Sequence, residues 1–154
     1  MAKPTKGIFY NPLDLDADMG IGVTLPFGKN GGGFTLSYTT AVQALSNLKN
    51  LLSTRKGERP LQPMFGTNLP SLLFEPMDDD LTARVDEILR KDIGWWLPYI
   101  VIDKIETDLD YDRHIVKINM RFRVTESGAN QVMTLNIESG GQTTIEGGEL
   151  GPPV

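Results

Sequence analysis

Val116-Lys117-Ile118-Asn119-Met120-Arg121-Phe122-Arg123-Val124 alternates apolar and polar residues without a break. Successive side chains of a strand point to opposite faces, so a period of two describes a strand with one face buried and the other in water. Working outward, Tyr99 to Thr107 precedes it across an Asp-rich turn, and Gln131 to Glu138 follows it across Glu126-Ser127-Gly128-Ala129-Asn130. Both connections suit hairpins, so the expected sheet is an antiparallel meander of about three strands.

Upstream of the meander the period changes to that of a helix. Leu81, Val85, Ile88, Leu89 and Ile93 fall on one face, Asp78, Asp79 and Asp80 supply a cap and negative charge at the positive end of the dipole, and Gly94 and Pro98 bracket the end. An earlier helix is expected from Thr39 or Thr40 as its cap, with Ala41, Leu45, Leu48 and Leu52 at helical spacing, ending near Arg55 before Gly57. Pro60 and Pro63 forbid its continuation and predict a bent, ordered loop from Gly57 to Asn68. Pro70 suits the first position of a short helical turn over Ser71 to Glu75. Phe34 to Tyr38 is short and β-prone. Helices first and sheet after read as an α+β fold, N-terminal helices packed on the meander. Residues 1–33 hold seven glycines with Pro4, Pro12 and Pro26, which predicts an extended arm. A single domain then covers 34–139, and 140–154 is expected to be a flexible tail.

The 154 residues are 40% hydrophobic and 23% charged, an ordinary globular balance for one domain. Without cysteine there is no disulfide framework and no thiol nucleophile. The start of the sequence has no apolar run of a leader, and no apolar stretch is long enough to span a bilayer, so a protein made in a cytoplasm with no membrane partner is expected. A formal charge of −5 argues against nucleic acid as a partner. The charge is segregated: residues 34–70 carry net +3, residues 71–112 net −8. Such a division can orient one subunit against another, although a solvated acidic face is the plainer account.

Catalytic readings fare poorly. Gly22 to Gly28 encloses five residues, and Asn30 follows Lys29, whereas a phosphate-binding P-loop requires four residues and then Ser or Thr after the lysine. Glu58, Glu75 and Asp78 to Asp80 could furnish the paired acids of a glycosidase by type alone, but the three aspartates are better explained as a cap. Glu58 adjoins Arg59, and a neighbouring cation opposes the protonated state a general acid needs. His114 has no Ser, Cys or second His at a useful spacing. Of the pair Trp95-Trp96 at the helix end, one is expected in the core, and the other could anchor a partner. No cofactor or metal is expected.

The segment Gly57-Glu58-Arg59-Pro60-x-x-Pro63-x-Phe65-Gly66, followed by Leu69 and Leu72-Leu73-Phe74-Glu75, resembles the gene product 25-like baseplate wedge family of contractile phage tails, shared with the type VI secretion baseplate. Leu25-Pro26-Phe27 and Gly31-Gly32-Gly33-Phe34-Thr35-Leu36 fit the same pattern, and the resemblance runs from about Gly20 to Val124. It implies a structural, non-enzymatic subunit of the virion tail baseplate. Such a subunit joins the wedge core to the tail sheath and helps start sheath assembly. The fold it implies is similar to the sheath protein's strand-exchanging domain, and the partners are other wedge proteins and sheath subunits. Some members have carried a lysozyme label, which makes a peptidoglycan hydrolase the main alternative, with a secretion-baseplate adaptor as a third. The resemblance also implies that Glu58 and Arg59 contact the helical core of the wedge; the order here is Glu-Arg-Pro where some relatives have Glu-Pro-Arg.

Two partner-binding segments follow. The first is the loop, with Glu58, Arg59, Pro60 and Phe65, whose prolines and glycines fix the backbone so that little entropy is lost on docking. An internal Glu58–Arg59 pair is the competing account. The second is Gln131, Val132, Met133, Thr134, Leu135, Asn136 and Ile137, which carry no charge and no proline. As the last strand of a three-stranded meander this segment would be an unprotected edge, open to a sheath subunit's extended arm unless the tail near Thr143 to Glu146 or the arm near Phe34 covers it.

Overall fold

In the computed structural model, residues 16, 18–24, 34–72, 79–110, 112–113, 115–125, 130–138 and 143–149 are described. Most of the expected N-terminal arm lies outside them, as do Leu25 to Gly33, Leu73 to Asp78, His114 and residues 150–154. The elements run β1 (Gly22–Val23), β2 (Leu36–Ser37), α1 (Thr40–Ser53), α2 (Leu69–Leu72), α3 (Asp79–Trp96), β3 (Ile100–Asp110), β4 (Ile115–Val124), β5 (Asn130–Glu138) and β6 (Thr143–Glu149). The fold is α+β, as expected. Among the described residues no helix is long and apolar enough to cross a membrane.

The sheet is a meander of four strands in the order β3-β4-β5-β6, all antiparallel. Val116, Ile118, Met120, Phe122 and Val124 of β4 are buried, while Lys117, Arg121 and Arg123 are exposed. The alternation therefore sets the register: a slip of one residue would turn the whole apolar row into water. Met133 faces Met120 across the ladder and is also buried.

Helices α1 and α3 cover this apolar face. Leu48, Leu51 and Leu52 of α1 and Leu81, Val85, Leu89 and Ile93 of α3 join the β4 row in one core. Each such burial contributes roughly 1.5–3 kcal/mol relative to exposure. Thr39 caps α1, its hydroxyl accepting the Val42 N–H at 3.3 Å. The helix stops at Ser53, two residues before the expected end, because Arg55 leaves it to bridge Thr67. Helix α3 passes through Gly94 and closes at Trp96, where the Leu97 N–H still reaches the Ile93 carbonyl at 2.7 Å and Pro98 ends the series.

Two expectations need correcting. Residues 143–149, placed in a flexible tail, form β6 and pair with β5 from Gln131↔Glu149 to Ile137↔Thr143. Consequently β5 is an inner strand, bonded to β4 on one side and β6 on the other; the tail near Thr143 to Glu146 covers Gln131 through Ile137, as in the competing reading, and the free edge assigned to them does not exist. Cross-strand pairing, which a local pattern containing Gly147 and Gly148 does not advertise, decides the matter.

Residues 22–23, within the expected arm, are extended but hydrogen-bonded, β1 pairing with β2. A Cβ at Gly22 would lie 2.2 Å from Gln43 Oε1, so the absence of a side chain lets β1 rest on α1. Gln43 there accepts from Ser37 Oγ at 2.5 Å and donates to Asn47, which donates to the Tyr99 hydroxyl at 2.9 Å. This chain of bonds ties the small sheet, α1 and the entry to β3 together.

Candidate functional site

The loop between α1 and α2 is closed at its base and folded upon itself. The Thr67 N–H donates to the Thr54 carbonyl at 2.9 Å, and Arg55 bridges Thr67. Within the loop, Gly57 N–H meets the Pro63 carbonyl at 2.8 Å, Gln62 N–H the Arg59 carbonyl at 3.1 Å and Phe65 N–H the Gln62 carbonyl at 3.0 Å. Gly57 and Gly66 take φ of 95° and 113°, which L side chains rarely adopt. At Gly66 a Cβ would also fall 2.4 Å from the Thr54 carbonyl oxygen, so the closed base itself requires glycine.

Glu58 and Arg59 are held by separate partners and not by one another. The exposed Glu58 turns one carboxylate oxygen, Oε2, to the Arg55 N–H at 3.0 Å. Arg59 is half-buried; its Nη2 donates to Asn50 Oδ1 at 2.8 Å, and its guanidinium lies 4.0 Å above the Phe65 ring centre. Phe65 in turn meets Trp96 edge to face, with centroids 5.2 Å apart. A carboxylate has two acceptor oxygens and a guanidinium five N–H donors, so each ion uses a fraction of its bonding capacity inside the domain. Pro60 is exposed beside them, and Leu61 and Met64 are 97% and 70% exposed.

Of the tryptophan pair, Trp96 packs against the core and Trp95 is 78% exposed. Sequence reasoning named Glu58, Arg59, Pro60 and Phe65, and the structure gathers all four in this loop. It missed Asn50, Lys56 and Asp92. Lys56 Nζ meets Asp92 Oδ1 of α3 at 2.5 Å, and Asp92 is only 5% exposed. The signal was available: Asp92 falls three residues after Leu89 and four before Trp96, on the buried side of α3, where an acid is out of place.

The second candidate segment, β5, has both ladders in use. Met133 is fully buried, and Thr134 Oγ1 donates to Asn119 Oδ1 at 2.9 Å; these are the described side chains of this strand. The outer strands of the sheet are β3 and β6. On β3, Asp103 is the extra residue of a bulge, since Ile102 faces Phe122 and Lys104 faces Arg121. The Asp103 carboxylate receives the Arg123 guanidinium at 2.8–3.0 Å, and these bonds raise the Arg123 pKa above its ordinary value. Nearby, Lys104 bonds Glu106 and holds its carboxyl below the usual range.

A hollow of about 160 Å³ is lined by Lys104, Glu106, Asn119, Met120 and Arg121. It is smaller than the ~300–1,000 Å³ typical of small-molecule sites. No group of three or more His, Cys, Asp or Glu side chains able to hold a metal ion occurs among the described residues.

The geometry is thus that of a prefolded loop and a sheet edge, both suited to protein surfaces. The family described as baseplate wedge protein gp25 matches residues 41–128, from α1 to beyond the end of β4. Baseplate wedge protein gp25 of Enterobacteria phage T4 is 28% identical over 95 residues, covering 60% of this chain and 70% of that one. Among solved structures, a chain of the anti-feeding prophage baseplate has a TM-score of 0.57 at 18% identity, covering 67% of this chain and 83% of its own. A chain named as a candidate tail lysozyme from Geobacter sulfurreducens has a TM-score of 0.56 at 15% identity, with 78% and 98% covered. At these identities the two structures share the fold, and no activity follows from the likeness. The match over α1 through β4, more than half of the chain, places this protein in the gp25 family of baseplate wedge proteins.

Proposed function

We propose that the chain is a non-enzymatic assembly subunit of a contractile-tail baseplate, docking onto other wedge proteins through the Gly57–Gly66 loop and linking them to the tail sheath through its sheet. The observation that carries this reading is the state of Glu58 and Arg59: both are oriented by internal bonds on an ordered loop, and among the described residues those bonds use part of the capacity of each ion. A partner meeting them need not order the loop first, which removes a cost of association. For the sheath link, the strand to be extended is β6, because β5 is enclosed. Main-chain bonds to an added strand would then supply affinity.

Replacing Glu58→Ala together with Arg59→Ala tests the docking role. The expected result is a folded subunit that no longer assembles with co-expressed wedge proteins; an unfolded double variant would make the two residues structural. For the sheath link, hydrogen exchange of the β6 amides is compared in the free subunit and the sheath-bearing baseplate. Complete protection already present in the free chain would remove the strand-addition reading.

The hydrolase alternative takes support from the name of one structural neighbour alone. Incubating the purified protein with peptidoglycan and finding released fragments would revive it.

A further inference from the structure

The loop touches α3 at two points one helical turn apart: Lys56 on Asp92, and Phe65 on Trp96. Residues four apart on a helix share a face, so both contacts lie along a single stripe of its last turns. The aromatic contact explains itself as burial. The ionic one does not. Asp92 is 5% exposed and stands among Leu89, Ile93 and the rest of the core, and its Oδ2 meets no donor among the described residues.

Desolvating a carboxylate is costly, and a single lysine contact repays the cost incompletely; well-packed apolar residues in place of such a pair commonly leave a protein as stable or more so. What an ion pair supplies that an apolar pair does not is a fixed position, since the attraction at 2.5 Å fails when either end slides. Here the position being fixed is that of Lys56, the residue before Gly57, at the root of the loop carrying Glu58 and Arg59.

We propose that Lys56 and Asp92 are positioning residues that hold the Gly57–Gly66 loop in its docking conformation at no gain in overall stability, an inference that rests on the docking reading of that loop. Stability and docking are then set by different groups. An apolar substitute for the pair keeps the fold and loosens the loop.

The test is the full chain carrying Lys56→Met with Asp92→Leu, compared with the unsubstituted chain. Three quantities are measured: the urea midpoint, hydrogen exchange at the amides of Gly57, Gln62, Phe65 and Thr67, and assembly with co-expressed wedge proteins. The expected result is a midpoint unchanged or raised, exchange at those four amides faster by at least about tenfold with the α3 amides unaffected, and impaired assembly. Loop amides as protected as before would overturn the proposal, and so would a lowered midpoint, because the pair would then serve stability. Exchange is read on the free subunit, so it decides the positioning role even if Glu58→Ala with Arg59→Ala leaves assembly intact. That second outcome would remove the docking reading instead.

Discussion

The loop and the outer strand β6 are both candidate contact surfaces, yet they present opposite chemistry. In the loop much of the backbone is occupied: the N–H groups of Gly57, Glu58, Gln62, Phe65 and Thr67 all have carbonyl partners inside the domain. Recognition there must come from side chains, and it depends on keeping the backbone closed. In β6 the backbone is the group in question, since among the described strands it pairs with β5 and on that side alone. A strand can read such an edge through main-chain bonds with little regard to side chains. One surface is selective and the other general.

The comparison can be broken at five points. Ending the chain at Gly140 removes β6 and exposes β5. The expected loss is on the order of 3 kcal/mol, from a seven-residue ladder whose bonds contribute about 0.5–1.5 kcal/mol each against the entropy of ordering the strand. Urea unfolding measures it, and loop amides exchanging as before would show that the two surfaces are independent. Gly66→Ala should cost about 2–3 kcal/mol, since the left-handed backbone is unfavourable and the new Cβ meets the Thr54 carbonyl. Gly57→Ala, with open space around it, should cost only about 1 kcal/mol; equal losses at the two glycines would refute the closed-base argument. Phe65→Ala removes the contacts to Trp96 and Arg59 from a half-buried site, for about 1–2 kcal/mol by thermal unfolding, and should quench assembly more than stability. Trp95→Ala should change stability by less than about 0.5 kcal/mol, and any assembly defect would add this exposed ring to the docking surface.

Much of this molecule is legible before its structure is seen, and the reason differs by element. Strand β4 and helix α3 each bury one face, so their periods of two and 3.6 appear directly in the residues. Thr39, the prolines of the loop and Pro98 mark ends by local stereochemistry, which sequence also records. What escaped was nonlocal. Strand β6 is Thr-Thr-Ile-Glu-Gly-Gly-Glu, whose first three residues favour strands and whose last four do not, and the β5 ladder carries it through to Glu149. Covering of the β5 edge by the tail near Thr143 to Glu146 is the competing reading, and the β5–β6 ladder is that arrangement. At the site, Glu58 and Arg59 were visible as a motif and Asp92 as an acid on the apolar side of α3, while the roles of Asn50 and Lys56 were not, because they depend on which helix face the loop lies against.

The bulge at Asp103 bears on how copies of this subunit behave before they meet a partner. A sheet with two open edges can stack head to tail on its own copies, and since that contact does not close on itself it propagates into a fibre. Here the opposite edge, β3, is kinked by an extra residue and carries the charges of Asp103, Lys104, Glu106, Asp108 and Asp110, all in water. An incoming β6 would meet a bent ladder lined by four acids. The two edges of one sheet are thereby poorly matched to each other, which disfavours head-to-tail pairing of β6 on the β3 of another copy.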